Sequence, residues 1–419
     1  MTGLVDGNNF FVSCERVFDL SLENRPVAVL SNNDGCCISR SNEFKALNIP
    51  MGTPYFKLKP FIQSYGLVLK SSNYRLYADM SHRMIETLRG MVQSVEQYSI
   101  DEAFIFPELD GSADYYRFGK AVRQRLLKWV GIPCGVGFAP NRTLAKIANH
   151  LGKKSPEGVF VMPEDRQKIL EKVPVSEVWG VGRKLAPKLE HLGIRNAWQL
   201  AMQDPVAMQK RFSVLTARII MELRGATALT GENPDDPAQS ISYSRSFGYP
   251  VTALSELSES VAVYTAHAAE KLRQEKLCAS GIVVYFTSYP QYRADGENTA
   301  AATTSLSVVF DVPTDDTGKM LSLISPRLPE IYSPDLRYKK SGVIFFGLES
   351  AQFCQNDLFS NLPQRDGSAL YQAVDALNAR YGKNTLFTLG AGVKKNWQMR
   401  RDLLSPEYTT CWDDLLTVD

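Results

Sequence analysis

Residues 98–104 read YSIDEAF, with two acids, Asp101 and Glu102, side by side in a stretch otherwise built for strands. Neighbouring side chains of a regular strand point to opposite faces. An adjacent pair therefore shares one site only where a turn breaks the alternation. The flanking runs VEQYSI and AFIFP read as two strands with the acids at the turn between them. Working outward, the apolar residues from Tyr74 to Gln97 fall at Leu76, Met80, Met84, Leu88, Met91 and Val95, which is helical spacing. Tyr115, Phe118, Val122, Leu126 and Trp129 mark a second amphipathic helix, and PCGVGFA at 133–139 a further strand. LVDGNNFF opens the chain as a strand that meets Asp6. With an inserted region set aside, the order strand, helix, strand, strand, helix, strand is the split βαβ order of a ferredoxin-like sheet. Its two adjacent inner strands bring Asp6 beside Asp101 and Glu102.

The insertion holds PVAVLSNNDGCCIS, two β-rich runs flanking Asn-Asp-Gly, which predicts a tight hairpin turn. After the sheet, NRTLAKIANHLG at 141–152 reads as a short basic helix. Residues 166–230 are helical in pattern and carry 11 Lys/Arg against 5 Asp/Glu. GENPDDPAQ at 231–239 has the composition of a linker. A second mixed unit follows. ISYSRSFG, GIVVYFTS, TTSLSVVF and GVIFFGLE read as strands, and 255–276 and 317–330 as helices. From about 351 the chain turns polar.

The 419 residues, 44% hydrophobic, exceed what one core holds and predict two or more domains. A formal net charge of +2 gives no general affinity for polyanions, so any basic footprint is local. Seven scattered cysteines without a Cys-x-x-Cys pair, and four histidines, argue against a zinc site or a disulfide framework and fit a reducing cytoplasm. The N-terminus does not read as a signal peptide, and no apolar run approaches a membrane span.

Three converging carboxylates repel one another unless cations neutralise them. Hard oxygen ligands suit Mg²⁺, which accepts substrate phosphates as further ligands, the makeup of a two-metal phosphoryl-transfer site. On dipeptide frequency alone, the pair is a surface feature at a hairpin tip.

The wider pattern reverses those odds. Asp6-Gly-Asn-Asn-Phe-Phe with Cys14-Glu15, SIDEAF at 99–104 and NRTLAKIAN at 141–149 strongly resemble the Y-family DNA polymerases that copy damaged templates. SNNDGC at 31–36, ADMSHRM at 78–84, VWGVGRKL at 178–185, SRSFG at 244–248 and NWQMRRDLLSPEYTT at 396–410 narrow the resemblance. They point to the UmuC-type catalytic subunits of DNA polymerase V and their plasmid-borne relatives. The resemblance runs over essentially the whole chain. It implies an α+β multidomain protein: a ferredoxin-like palm (1–10 and 75–165), small fingers (11–74), a helical helix-hairpin-helix thumb (166–230), a linker (231–242), an α+β little finger (243–350) and a C-terminal tail (351–419).

The same resemblance implies error-prone translesion synthesis in the SOS response. Asp6, Asp101, Glu102 and the Gly7 carbonyl hold two Mg²⁺ ions. Phe11 stands at the steric gate with Phe10 beside it, and Ile38 roofs the incoming base. The triphosphate grip falls on Asn42, Lys45 and Lys153, where the family's Tyr is absent and its Arg is a Lys, so the bidentate fork is lost. Lys146, Gly180, Gly182, Arg183 and Arg245 are the implied DNA contacts, with Lys339 and Lys340 further candidates. The little finger holds 10 Lys/Arg against 12 Asp/Glu and grips weakly by charge. Gln355, Leu358 and Phe359 match a clamp-binding peptide. Primer-template DNA, a dNTP, a UmuD-type accessory dimer, RecA and a sliding clamp are the implied partners. Two alternatives stay open on the residues alone. One is a non-catalytic DNA-binding protein with a vestigial palm. The other is a different two-metal enzyme on the same sheet, such as a nucleotide cyclase.

Overall fold

The acidic stretch sits in a five-stranded sheet. In chain order, β1 (Thr2–Gly7), α1 (Phe10–Phe18), β2 (Val27–Leu30), β3 (Cys37–Arg40), α2 (Asn42–Ala46), α3 (Tyr55–Tyr65) and β4 (Val68–Ser71) come first. Then follow α4 (Tyr74–Arg89), β5 (Val95–Gln97), β6 (Glu102–Ile105), α5 (Ser112–Val130), β7 (Cys134–Ala139), α6 (Arg142–Lys154) and β8 (Val159–Val161). The sheet order is β5-β6-β1-β7-β8. Its first four strands have the ferredoxin-like arrangement, and β8 adds itself parallel to β7. Three residues are too few for an alternation to show, so β8 left no sequence signal.

The computed structural model describes residues 1–229, 238–292, 298–351 and 367–416. They fall into two units, Met1–Glu232 with Asp402–Asp419, and Asn233–Arg401.

Strand alternation divides the core of the first unit between the two faces of the sheet. Val5, Ala103 and Ile105 pack with Met80, Met84 and Leu88 of α4 and with Val122 and Leu126 of α5. Leu4 and Phe104 pack with Leu144 and Ala148 of α6. Each Val, Leu, Ile, Phe or Met among them contributes roughly 1.5–3 kcal/mol when fully buried. The α6 backbone lies directly on β7. A Cβ at Gly137 meets the Asn149 backbone nitrogen and comes within 2.6 Å of the Ala148 carbonyl carbon. Only glycine leaves that space.

A smaller sheet, β3-β2-β4, follows α1. Strands β2 and β3 pair antiparallel as the expected hairpin, and only the conformation of the connection differs. It is a 3-10 turn over Asn32–Asp34, with positive φ at Asn33 (60°) and Asp34 (50°) rather than at Gly35. The Asp34 side chain is buried and accepts a bond from the Ser71 hydroxyl at 2.5 Å, a long-range contact that overrides local turn preference. Helix α4 also ends before the predicted pattern does, with Gly90 as its C-cap, so Met91 and Val95 lie beyond it.

The basic region is a set of short helices: α7 (Gln167–Leu170), α8 (Ala186–His191), α9 (Ala197–Ala201), α10 (Pro205–Arg211) and α11 (Val214–Leu223). Asn196, Asp204 and Ser213 side chains cap the last three.

The second unit comprises β9 (Ser240–Val251), α12 (Leu254–Gln274), β10 (Leu277–Ser288), β11 (Gln291–Tyr292), β12 (Asn298–Thr299), β13 (Thr303–Thr314), α13 (Thr317–Ile324), β14 (Tyr338–Ser350) and α14 (Ser368–Tyr381). Its antiparallel sheet, β13-β10-β14-β9, is covered by α12 and α13 around Val261, Leu272, Ile282, Phe286 and Phe345. The helix expected over 317–330 stops at Ile324. Ser325–Ile331 winds as a 3-10 helix because Pro326 and Pro329 lack amide donors. The described part of the stretch expected as one tail, 351–419, divides: 367–401 belong to the second unit and 402–416 to the first. No helix among the described residues is long and apolar enough to cross a membrane.

Candidate active site

Strands β1 and β6 pair antiparallel with Asp6 directly opposite Glu102. Asp101 lies in the turn before β6, and Ser99 shapes that turn. The Ser99 hydroxyl accepts from the Asp101 and Glu102 amides at 3.4 and 3.0 Å and donates to Asp101 Oδ1 at 2.7 Å. The Tyr98 and Ser99 amides both donate to the Glu102 carbonyl, at 3.0 and 3.1 Å. The Gly7 amide donates to the Asp101 carbonyl at 2.8 Å, which ties the turn to the end of β1.

Helix α6 supplies the countercharge. Lys146, Asn149 and Lys153, spaced three and four apart, lie along one stripe. Asn149 Nδ2 donates to the Leu4 and Gly135 carbonyls at 3.1 and 2.8 Å, which seats the helix across β1 and β7. Lys153 Nζ stands 2.6 Å from Asp6 Oδ1, and Lys146 Nζ 2.8 Å from Glu102 Oε2. Lys146 also sits 4.3 Å over the Tyr98 ring and 5.3 Å over Trp179. Burial pushes the Asp6 carboxyl from the ordinary 3.8 up to about 6, against the pull of Lys153 and with added repulsion from Glu102 and Asp101. Asp6, Glu102, Lys146, Asn149, Lys153 and Trp179 line a cleft of about 340 Å³ together with Leu4, His150 and Glu177.

The three acids do not close into a bare carboxylate cluster. Among the described residues, no group of three or more His, Cys, Asp or Glu side chains is placed to hold a metal ion. Two of the acids are instead turned to lysines, because buried anions take the nearest cation. The donor set remains hard oxygen, on facing register positions and under mutual repulsion, which fits Mg²⁺.

Phe11 is half-buried, and its ring stacks on Tyr77 at 4.5 Å and 13°. Phe10 is only 3% exposed and its ring belongs to the core. Ile38 is half-buried on β3. Lys45 Nζ donates to Asn9 Oδ1 at 2.6 Å, and Asn9 Nδ2 donates to Asn42 Oδ1 at 3.0 Å. Partial burial, then repulsion from Arg40 and Lys153, lowers the Lys45 amine below its usual range, while Asp6 opposes that shift. Arg40 and Lys153 thus add positive charge around Lys45, with Asp6 as the opposing anion.

In the hairpin before α8, Val178 and Val181 are buried while Gly180, Gly182, Arg183 and Lys184 are exposed. Gly180 has φ +87°, and the Ile219 Cδ1 atom lies 2.7 Å from where its Cβ would be. Arg245, on β9, is exposed with its guanidinium 4.6 Å over the Tyr243 ring. Gln355, Leu358 and Phe359 lie outside the described residues.

Sequence reasoning passed over Arg40, Ser99, Asn149 and Trp179. The 146/149/153 stripe was available as a signal for Asn149. Nothing local marks Arg40 or Trp179, whose partners are distant in sequence.

Residues 5–150 match the impB/mucB/samB family, 238–358 the C-terminal domain of that family, 163–194 the IMS family HHH motif, and 368–418 a domain of unknown function. Protein UmuC of Salmonella typhimurium is 42% identical over 100% of both chains. Protein SamB of Salmonella typhimurium is 38% identical over 99% of each. DNA polymerase IV of Bacillus velezensis is 24% identical over 93% of this chain and 92% of that one. Among solved structures, a Y-family DNA polymerase chimera of Dbh and Dpo4 has a TM-score of 0.63 at 19% identity, covering 83% of this chain and 99% of its own. An insertion ternary complex of Dbh DNA polymerase has a TM-score of 0.51 at 18% identity, covering 83% and 99%. The overall architecture is that of this polymerase fold.

Proposed function

This chain belongs to the impB/mucB/samB family, and we propose that it is a DNA-directed DNA polymerase of the UmuC type. Its role in this reading is error-prone translesion synthesis within the SOS response, on primer-template DNA and dNTPs. The observation that carries the reading is the β1–β6 register. It sets Asp6 opposite Glu102 in a cleft lined with Lys146 and Lys153, and Asp101 lies in the adjoining turn.

We assign Asp6, Asp101, Glu102 and the Gly7 carbonyl to two Mg²⁺ ions. The donor chemistry supports this, and Lys153 and Lys146 are paired with Asp6 and Glu102. Ions held there would make a primer 3′-hydroxyl more acidic and would offset the charge of the triphosphate. The chain's own residues do the rest. Lys45 and Lys153, with Arg40 beside them, attract the triphosphate as point charges. Phe11 fills the space below the sugar so that a 2′-hydroxyl clashes. Ile38 covers the base. The exposed Gly180–Lys184 hairpin offers backbone amides and two cations to a DNA phosphate without reading sequence. Regions 1–10 with 75–165, 11–74, 166–230 and 243–350 then act as palm, fingers, thumb and little finger. A UmuD-type dimer, RecA and a sliding clamp reached through Gln355, Leu358 and Phe359 are partners on the family likeness alone.

The test is primer extension with Mg²⁺ and dNTPs on intact and damaged templates. Asp101→Ala abolishes extension while DNA binding survives. Extension retained by that variant removes the metal-site assignment.

A further inference from the structure

Helix α1 carries Phe11 and Glu15 one turn apart, on the same face. Tyr77, from α4, meets both. Its ring stacks on Phe11, and its hydroxyl donates to Glu15 Oε1 at 2.7 Å. Tyr74 closes the group edge-on to Phe11, at 6.0 Å and 87°. Glu15 and Tyr77 are fully buried. The same Glu15 Oε1 accepts the Ser405 hydroxyl at 3.0 Å, from a residue 390 positions later in the chain. Glu15 Oε2 is buried with no hydrogen-bond partner among the described residues. Two hydroxyls therefore fix this carboxyl, and a buried carboxyl without competing bonds holds them firmly.

Ser405 is itself held. Asn73 Nδ2 donates to the Ser405 hydroxyl (3.0 Å), the Ser405 carbonyl (3.3 Å) and the Pro406 carbonyl (3.1 Å), while Asn73 Oδ1 caps α4 at Leu76. Around it, the Asp402 amide donates to Asp34 Oδ2 at 3.0 Å. Leu403 exchanges bonds with Ser71, its amide to the hydroxyl at 3.0 Å and its carbonyl from the amide at 2.9 Å. Glu407 pairs with Arg75 at 2.8 Å, and Tyr408 stacks on Phe18 at 4.9 Å. One returning segment thus pins both helices that carry the stacked pair, α1 at Glu15 and Phe18 and α4 at its cap and first turn.

Discrimination by a clash requires a ring that cannot give way. Packed interiors resist displacement, whereas a loosened backing lets an aromatic ring retreat. We propose that Glu15 and Ser405 are positioning residues for sugar selection: the returning segment 402–408 presses Ser405 on Glu15, Glu15 orients Tyr77, and Tyr77 backs Phe11 against a 2′-hydroxyl. This rests on the polymerase reading and on Phe11 as the gate.

The experiment measures kcat/KM for a dNTP and the matching rNTP in primer extension by the full chain. The variants are Ser405→Ala, Ser405→Thr and Tyr77→Phe, each also combined with Phe11→Ala. Ser405→Ala and Tyr77→Phe lower the dNTP:rNTP ratio about tenfold, the size of change a lost hydrogen bond of ~1.4 kcal/mol produces. Ser405→Thr restores the ratio, and neither change lowers it further once Phe11 is alanine. An unaltered ratio in variants that still insert dNTPs overturns the proposal, as does an equal fall in the Phe11→Ala background. Wild-type protein that extends no primer with dNTPs fails the polymerase reading itself, and the inference falls with it.

Discussion

Replacing Asp6 by Asn in the metal-free protein should stabilise the first unit and silence the enzyme at once. Asp6 is 16% exposed, and burial lifts its carboxyl from 3.8 to about 6 in spite of Lys153 at 2.6 Å. An acid whose folded value is raised is protonated in both states below 3.8, and there it contributes nothing. Between 3.8 and 6 the unfolded chain ionises first. Above 6 the folded state bears the full cost of the buried anion. The interval corresponds to ~3 kcal/mol, which is an upper bound because the surroundings relax. Asn resembles the protonated acid and escapes that cost. In EDTA, Asp6→Asn therefore unfolds later than wild type at pH 7.5, by on the order of 6–12 °C if the whole difference is realised. The gain shrinks through pH 6 to 4 and is gone near pH 3.8. Thermal unfolding of the full chain, followed at several pH values, measures it. Adding Mg²⁺ at pH 7.5 narrows the gap, since ligand binding to the folded state stabilises wild type alone. A variant less stable than wild type at pH 7.5, or a difference independent of pH, refutes the reasoning.

Phe11→Ala should admit rNTPs into primer extension while dNTP insertion continues, and unchanged sugar discrimination would place the gate elsewhere. Gly137→Ala should destabilise the first unit by about 3 kcal/mol or more in urea unfolding, because the new methyl meets the α6 backbone rather than a movable side chain. A loss under 1 kcal/mol would mean α6 is free to shift. Arg183→Ala should weaken DNA binding equally for all sequences and lower the slope of log affinity against log salt by about 1. A sequence-dependent loss would contradict a phosphate contact.

The sequence alone carried the sheet and most of its neighbours. Helical spacing from Leu76 to Leu88, the run of short strands and the acids at a turn were local signals, and they predicted the strand order that brings Asp6 to Glu102. Family likeness, not periodicity, then singled out Phe11 and the hairpin glycines. Tertiary structure decided the rest, because the deciding partners are far apart in the chain. The expected β2–β3 hairpin forms, but its turn is a 3-10 segment in which Ser71 and the Asp402 amide reach the Asp34 carboxylate. Phe10 and Phe11 are neighbours of one chemistry, yet only packing sends Phe10 into the core and leaves Phe11 half-exposed against Tyr77. The acids face lysines because α6 lies on Gly137, and Glu15 meets Ser405 because the chain returns after 390 residues. Periodicity reports which face of an element is apolar; it holds no record of which distant side chain a buried polar group will find.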